Sequence, residues 1–180
     1  MIFTEAALAG AFLIDMERIE DDRGFFARSF CAEEFAGHGL AANMPQCSVS
    51  FNACRATLRG LHYQSDPHAE EKLFRCTAGA VFDVIVDLRA GSRTRGRWLG
   101  VELTADNRRA LWVPKGFAHG FITLADGSEV LYMMSVPHAP GSARGVRWND
   151  PGIAIDWPLQ PEHMSDRDAA YPLLDASITP

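Results

Sequence analysis

Residues 81–88 read Val81-Phe82-Asp83-Val84-Ile85-Val86-Asp87-Leu88. The run is apolar at both parities of an extended chain, so neither face is set out for water. That pattern predicts a strand covered on both sides, as between two packed sheets. Asp83, in its middle, is expensive to bury unless it is hydrogen-bonded or paired. Working outward, short strand-like runs recur at 11–14, 24–30, 47–51, 57–63, 72–77, 98–103, 109–113, 118–123, 129–136 and 145–148. Turn signals separate them: Ala90-Gly91-Ser92, Asp106-Asn107, Asp126-Gly127 and Pro140-Gly141. Asp-Gly between two such runs is a hairpin signal, because glycine tolerates the positive φ of a tight turn. Many short strands with regular turns predict a mainly β sandwich or closed barrel. Helix signals are few, at 31–37 and at 165–170, where Ser165 is placed to cap and Asp168 stands at the capping-box position.

The totals bound the class. A chain of 180 residues, 47% apolar and 22% charged, is expected to form one soluble domain over 1–180 with a sufficient core. The net charge of −6 argues against general nucleic-acid binding. No run approaches the ~20 apolar residues of a bilayer span, and the apolar stretch 6–14 lacks a basic leader, so no membrane partner and no secretory signal are expected. Cys31, Cys47, Cys54 and Cys76 show no metal-binding spacing and read as reduced thiols, consistent with a cytoplasmic location. Lysine is scarce: only Lys72 and Lys115 interrupt an otherwise all-arginine set of cations. An ammonium is a compact point charge suited to a reacting oxygen, which singles out both positions.

Two segments carry the chemistry. Leu58-Arg59-Gly60-Leu61-His62-Tyr63-Gln64 and Val113-Pro114-Lys115-Gly116-Phe117-Ala118-His119-Gly120-Phe121 each set a histidine in a strand-like apolar and aromatic run. A buried imidazole needs a partner or a task. Either histidine alone also fits a satisfied core residue; two suggest a lined cavity. Pro114-x-Gly116-x-x-His119 resembles the second motif of the cupin superfamily. Metal-binding cupins carry a His-x-His pair in the first motif. Here that place reads His62-Tyr63-Gln64, so a ligand is missing, and no bound metal is expected.

A longer ordered pattern is more specific. Asp22-Arg23-Gly24-Phe25-Phe26, Leu58 to Gln64, Glu71-Lys72-Leu73, Gly79 to Arg89, Pro114 to Phe121, Tyr132, Trp148-Asn149-Asp150-Pro151, Ile155-Asp156-Trp157-Pro158 and Ser165-Asp166-Arg167-Asp168 occur in one order. Together they resemble the dTDP-4-dehydrorhamnose 3,5-epimerase family over nearly the whole chain. The resemblance implies a cupin-type double-stranded β-helix, a jelly-roll barrel with a few short helices. It implies a homodimer exchanging N-terminal strands within about 1–45, and a C-terminal segment from about 150 that wraps the barrel. It also implies epimerisation of a nucleotide-linked 4-keto-6-deoxyhexose, dTDP-linked by the family's name, with no cofactor. The 4-keto group acidifies C3–H and C5–H; a base removes a proton, an acid on the opposite face returns one, and a positive group stabilises the enolate oxygen.

Carried over residue by residue, the resemblance implies His62 as base, Asp168 as its carboxylate partner, Lys72 at the 4-keto oxygen and Tyr132 as the acid on the far face. It implies substrate contacts from Arg59 and His119, from Gln46, His138, Phe26 and Asp83, and from Arg23 at the pyrophosphate, with Asp83 a buried acid beside His119. A pairing of Asp83 with His119 would remove the cost of burying that carboxyl. Departures fall on nucleotide-side positions: Arg28 stands where the family often has an acid, Ala143 where it often has glutamate, and His138 where it often has another aromatic. They leave the base, the sugar and the inverted carbons open. Alternatives at this point are inversion at one carbon only, a metal-dependent cupin enzyme, or a binder that does not catalyse.

Overall fold

The computed structural model describes residues 1–175. The strands are β1 (Ile2–Glu5), β2 (Phe12–Asp15), β3 (Arg18–Asp21), β4 (Gly24–Ala27), β5 (Gln46–Asn52), β6 (Leu58–Gln64), β7 (Lys72–Ala78), β8 (Ala80–Asp87), β9 (Trp98–Thr104), β10 (Ala110–Val113), β11 (Phe117–Thr123), β12 (Ser128–Met134) and β13 (Ala143–Gly145). Two helices accompany them, α1 (Ala32–Gly37) and α2 (Asp166–Ala169), with a 3₁₀ turn at Pro140–Ser142. A six-stranded sheet, ordered β1-β2-β10-β7-β12-β5, faces a five-stranded sheet, ordered β13-β6-β11-β8-β9, and β3-β4 form a separate hairpin. The two facing sheets make the jelly-roll barrel of the cupin type.

The opening stretch became β8, and its two faces have different covers. Val81 and Ile85 join the barrel interior with Phe74, Leu111 and Phe121. Val84, Val86 and Leu88 pack outward instead, against Ile153, Ile155, Trp157 and Leu174. The second cover is therefore the C-terminal segment and not a second sheet. By strand alternation Asp83 falls on the interior parity.

Sequence-predicted strands lie within a residue or two of their observed ends, apart from the N-terminal pairings and two end segments. β1 and β3 carry no apolar alternation, β3 being Arg18-Ile19-Glu20-Asp21 with all four residues exposed. The strand expected at 24–30 stops at Ala27, and that at 145–148 starts earlier and ends at Gly145. The Asp126-Gly127 turn is present between β11 and β12, with Gly127 at φ +65°. It carries the chain from one sheet to the other instead of closing the expected hairpin: β12 pairs with β5 and β7, and β11 with β6 and β8.

One backbone approach positions the site. A Cβ on Gly60 would lie 2.6 Å from Gly120 Cα, and one on Gly120 would lie 2.7 Å from the Arg59 carbonyl oxygen. β6 and β11 thus touch backbone to backbone, where the register shifts between His119 and Phe121. Only glycine fits both positions. This contact sets His62 and His119 as cross-strand partners.

Candidate active site

A cavity of about 430 Å³ opens between the two sheets. β6 and β11 of one sheet contribute Arg59, His62 and His119, and β5, β7 and β12 of the other contribute Gln46, Lys72 and Tyr132. The inward row of β5 is polar, with Gln46, Ser48 and Ser50 all on the cavity wall. Its outward row is Cys47, Val49 and Phe51, so strict period-2 alternation makes one strand serve two surfaces.

Each histidine holds a carboxylate through Nε2. His62 Nε2 is 2.8 Å from Asp168 Oδ1. Asp168 arrives from α2: Ser165 Oγ accepts a hydrogen bond from the Asp168 N–H at 3.1 Å and starts the helix. The carboxylate does not turn back to complete a capping box. Its second oxygen accepts the Gly60 N–H at 3.2 Å, so one side chain clamps both the imidazole and the strand that carries it. Burial pushes the Asp168 carboxyl up, but the His62 bond and charge, the Gly60 N–H and Ser165 together bring it below the usual carboxylate range.

The second pair is sealed. His119 Nε2 is 2.7 Å from Asp83 Oδ1, with the carboxylate fully buried and its other oxygen without a partner. Burial raises the Asp83 carboxyl above its ordinary value, against the charge and hydrogen bond of His119 and the charge of Lys72. Asp83, expected among the substrate contacts, therefore lies behind His119 with no surface of its own, because its strand position directs it into the packed layer.

Phe74 ties the remaining groups together. Its ring stacks on Tyr132 at 6.1 Å between centroids and meets His119 edge-on at 4.6 Å. Lys72 Nζ pairs with Glu70 at 2.8 Å. Lys115, the other lysine, is exposed on the turn before β11. Gln46 accepts the His138 N–H at 2.8 Å and so fixes the backbone of the segment that brings His138 to the cavity.

Two expected residues stand elsewhere. Arg23 and Phe26 lie on the β3-β4 hairpin, the Arg23 side chain 89% exposed and bonded to Asp21, and Phe26 70% exposed. Neither lines this chain's cavity. Arg28 pairs with Glu34 at 3.1 Å, also away from it.

The cavity wall also contains residues that the sequence reading passed over: Glu70, Arg144, Arg167 and Tyr171. Parity was a usable signal for Glu70, which sits two residues before Lys72 and so on the same side, whereas Glu71 points elsewhere. Tyr171 lies two residues past the end of α2, where no local pattern marked it. Its ring meets His62 edge-on at 5.8 Å and lies over Gly145, where a Cβ would come within 2.4 Å of it. Arg167 stood inside the Ser165-to-Asp168 block without a role of its own, and Arg144 had no local pattern to mark it.

Among the described residues, no three His, Cys, Asp or Glu side chains converge to hold a metal ion. Gln64, at the position of the missing ligand, donates to Glu70 and accepts from the Ala139 N–H.

Fold and cavity together define a class: a cupin-type barrel whose interior carries imidazole, phenol, ammonium and carboxylate in one hollow. The family described as dTDP-4-dehydrorhamnose 3,5-epimerase matches residues 5–176. The enzyme of that name from Salmonella typhimurium is 41% identical, over 99% of this chain and 98% of its own. The crystal structure of the Bacillus anthracis enzyme, with TDP and pyrophosphate bound, superposes with a TM-score of 0.92 at 42% identity, covering 96% of this chain and 99% of that one. The Legionella pneumophila enzyme in complex with dTDP-4-keto-L-rhamnose gives a TM-score of 0.89 at 39% identity, covering 96% and 92%. The chain belongs to the dTDP-4-dehydrorhamnose 3,5-epimerase family. It is an isomerase, an epimerase of that type.

Proposed function

We propose that the cavity epimerises a dTDP-linked 4-keto-6-deoxyhexose at C3 and C5. The observation that carries this reading is the opposition of His62 on one sheet to Tyr132 and Lys72 on the other, across a single hollow. Asp168 engages Nε2 of His62 and so fixes the tautomer that leaves the lone pair at Nδ1. Nδ1 takes the proton from the carbon beside the carbonyl, and the electron pair moves into the enolate. The Lys72 ammonium stabilises the developing charge on the carbonyl oxygen. The Tyr132 hydroxyl returns a proton to the opposite face, and solvent restores both groups. Substrate and product share one oxidation level, so the stoichiometry calls for no redox cofactor. Each placed proton-transfer group contributes roughly 10²–10⁴-fold.

Arg59, Arg144 and Arg167 stand around the same cavity and suit pyrophosphate oxygens. Gln46, Ser48 and His138 are assigned to the nucleotide side. The exposed hairpin suggests a source for a further cation. Ile19, Phe25 and Phe26 are exposed on it beside Arg23, which suits a homodimer in which the N-terminal region is offered to a second copy and Arg23 and Phe26 complete that copy's site. No helix among the described residues is long and apolar enough to cross a membrane, and the free thiols Cys31, Cys47, Cys54 and Cys76 fit a reducing, cytoplasmic setting.

Incubation of the purified protein with dTDP-4-keto-6-deoxyglucose in D₂O, read by NMR, tests the reading. Deuterium is expected at both C3 and C5, with the doubly inverted sugar as product. Label at one carbon alone would reduce the assignment to a single-carbon epimerase, and no label at either would refute it. Tyr132→Phe is expected to retain exchange on the His62 side while net inversion falls by about 10²-fold.

A further inference from the structure

A carboxylate stands inside the cavity where the proton-transfer reading has no use for one. Glu70 sits two residues before Lys72, just ahead of β7. Its Oε1 is 2.8 Å from Lys72 Nζ, and the side chains are only 7% and 12% exposed. Its Oε2 accepts a hydrogen bond from Gln64 Nε2 at 2.8 Å. Gln64 is itself held at both ends: Nε2 also donates to the His68 carbonyl at 3.1 Å, and Oε1 accepts from the Ala139 N–H at 2.6 Å. A continuous line of contacts thus runs from the 137–139 segment through Gln64 and Glu70 to the ammonium.

A carboxylate so close offsets part of the lysine's charge, so bare charge is not what this arrangement maximises. It maximises direction. Lysine is a flexible stem with three rotatable donors. Once one N–H is bonded to a buried, immobilised oxygen, the other two are confined to a narrow cone. Electrostatic stabilisation of an enolate is strongest when the donor is already in place and need not reorganise during the reaction.

We infer that Glu70 is a positioning residue that aims the Lys72 ammonium at the substrate carbonyl oxygen and, through Gln64, fixes it relative to the segment carrying His138. The inference rests on the role assigned to Lys72 above. A role in folding alone would change stability without a specific coupling to Lys72.

The test is a double-mutant cycle read by solvent deuterium exchange at C3 and C5 of dTDP-4-keto-6-deoxyglucose, with kcat and KM measured separately. Lys72→Met is expected to lower the exchange kcat by about 10²–10³-fold. Glu70→Ala is expected to lower it by about 10–100-fold, with KM changed less than about threefold. The double variant is expected to be no slower than Lys72→Met, because Glu70 acts only through the lysine. Losses that multiply, a Glu70→Ala effect confined to KM, or wild-type exchange in Glu70→Ala would each overturn the inference. If Glu70→Ala does not fold, Glu70→Gln supplies the same cycle at nearly constant volume. Absence of exchange in the wild-type protein would instead remove the epimerase reading itself, a result distinguishable from the others.

Discussion

His62–Asp168 and His119–Asp83 are the same pair of side chains in two settings. The imidazoles face one another across β6 and β11, and each bonds its carboxylate through Nε2 at 2.8 or 2.7 Å. The difference lies in what surrounds them. The His62 side chain is 33% exposed to the cavity, and its carboxylate accepts a further N–H bond. The His119 side chain is 8% exposed, and its carboxylate has one oxygen with nothing to accept. Asp168 is held below the ordinary carboxylate range, while burial drives Asp83 above it. A carboxylate that stays charged can support an imidazolium as it forms; one whose charge is disfavoured supports a fixed wall. On the proposed reading, solvation and the extra hydrogen bonds to Asp168 separate a proton-transfer pair from a packing pair.

Substitutions can break that contrast at graded strengths. His62→Ala should lower exchange by about 10³–10⁴-fold with the fold retained, since it removes the base outright; circular dichroism and the exchange rate check both halves. Asp168→Asn should cost about 10²-fold, because the amide keeps the shape but not the charge that stabilises the imidazolium. His119→Asn should change exchange less than about tenfold, with its main effect on KM.

Stability against pH offers a smaller but signed test. Asp168 has a folded value below its unfolded one, so its contribution is fully present above the ordinary carboxylate range and is lost as pH falls through the folded value. Asp168→Asn should therefore lower Tm at neutral pH, by about 2–4 °C per kcal/mol lost for a chain of this size, and the gap to wild type should close in acid. Asp83 has the opposite sign. Its raised value makes the ionised form a burden that grows as pH rises from the unfolded value through the folded one. Asp83→Asn should hold or gain Tm relative to wild type at neutral and alkaline pH. Thermal melts of both variants from pH 4 to 8 check the two slopes.

Gly60→Ala should be the most damaging of the small substitutions made away from the carboxylates. Its Cβ would meet the Gly120 backbone at 2.6 Å, where no flexible side chain can give way, and His62 would move with the strand. A loss of about 1–3 kcal/mol is expected, measured by urea unfolding.

Much of the site was legible beforehand because the resemblance marked it: Arg59, His62, Lys72, His119 and Tyr132 all meet at one cavity, as it implied. Alternation by itself would not have done this, since Arg59 and His62 stand three apart on β6 and strict period 2 would send them to opposite faces. The unreadable parts have physical reasons. β3 has three charged residues and one exposed isoleucine, so hydrophobic pattern could not reveal it. The outer cover of β8 comes from a non-strand segment some seventy residues later, and no local signal says whether a doubly apolar strand lies under a sheet or under a strap. Glu70 was missed because the family block begins at Glu71, although parity puts the residue two positions before Lys72 on its side. Asp83 was matched to His119 and expected to be buried beside it, and both hold; what was not legible is that burial leaves the carboxyl no surface for a substrate contact.

The central claim is that one of these two carboxylate–imidazole pairs moves protons and the other holds a wall. The direct test sets Asp168→Asn and Asp83→Asn side by side with wild type in D₂O and follows deuterium entering C3 and C5 of dTDP-4-keto-6-deoxyglucose. The account predicts a rate about 10²-fold below wild type for Asp168→Asn and within about tenfold of wild type for Asp83→Asn. Equal losses in the two variants, or a larger loss in Asp83→Asn, would contradict it.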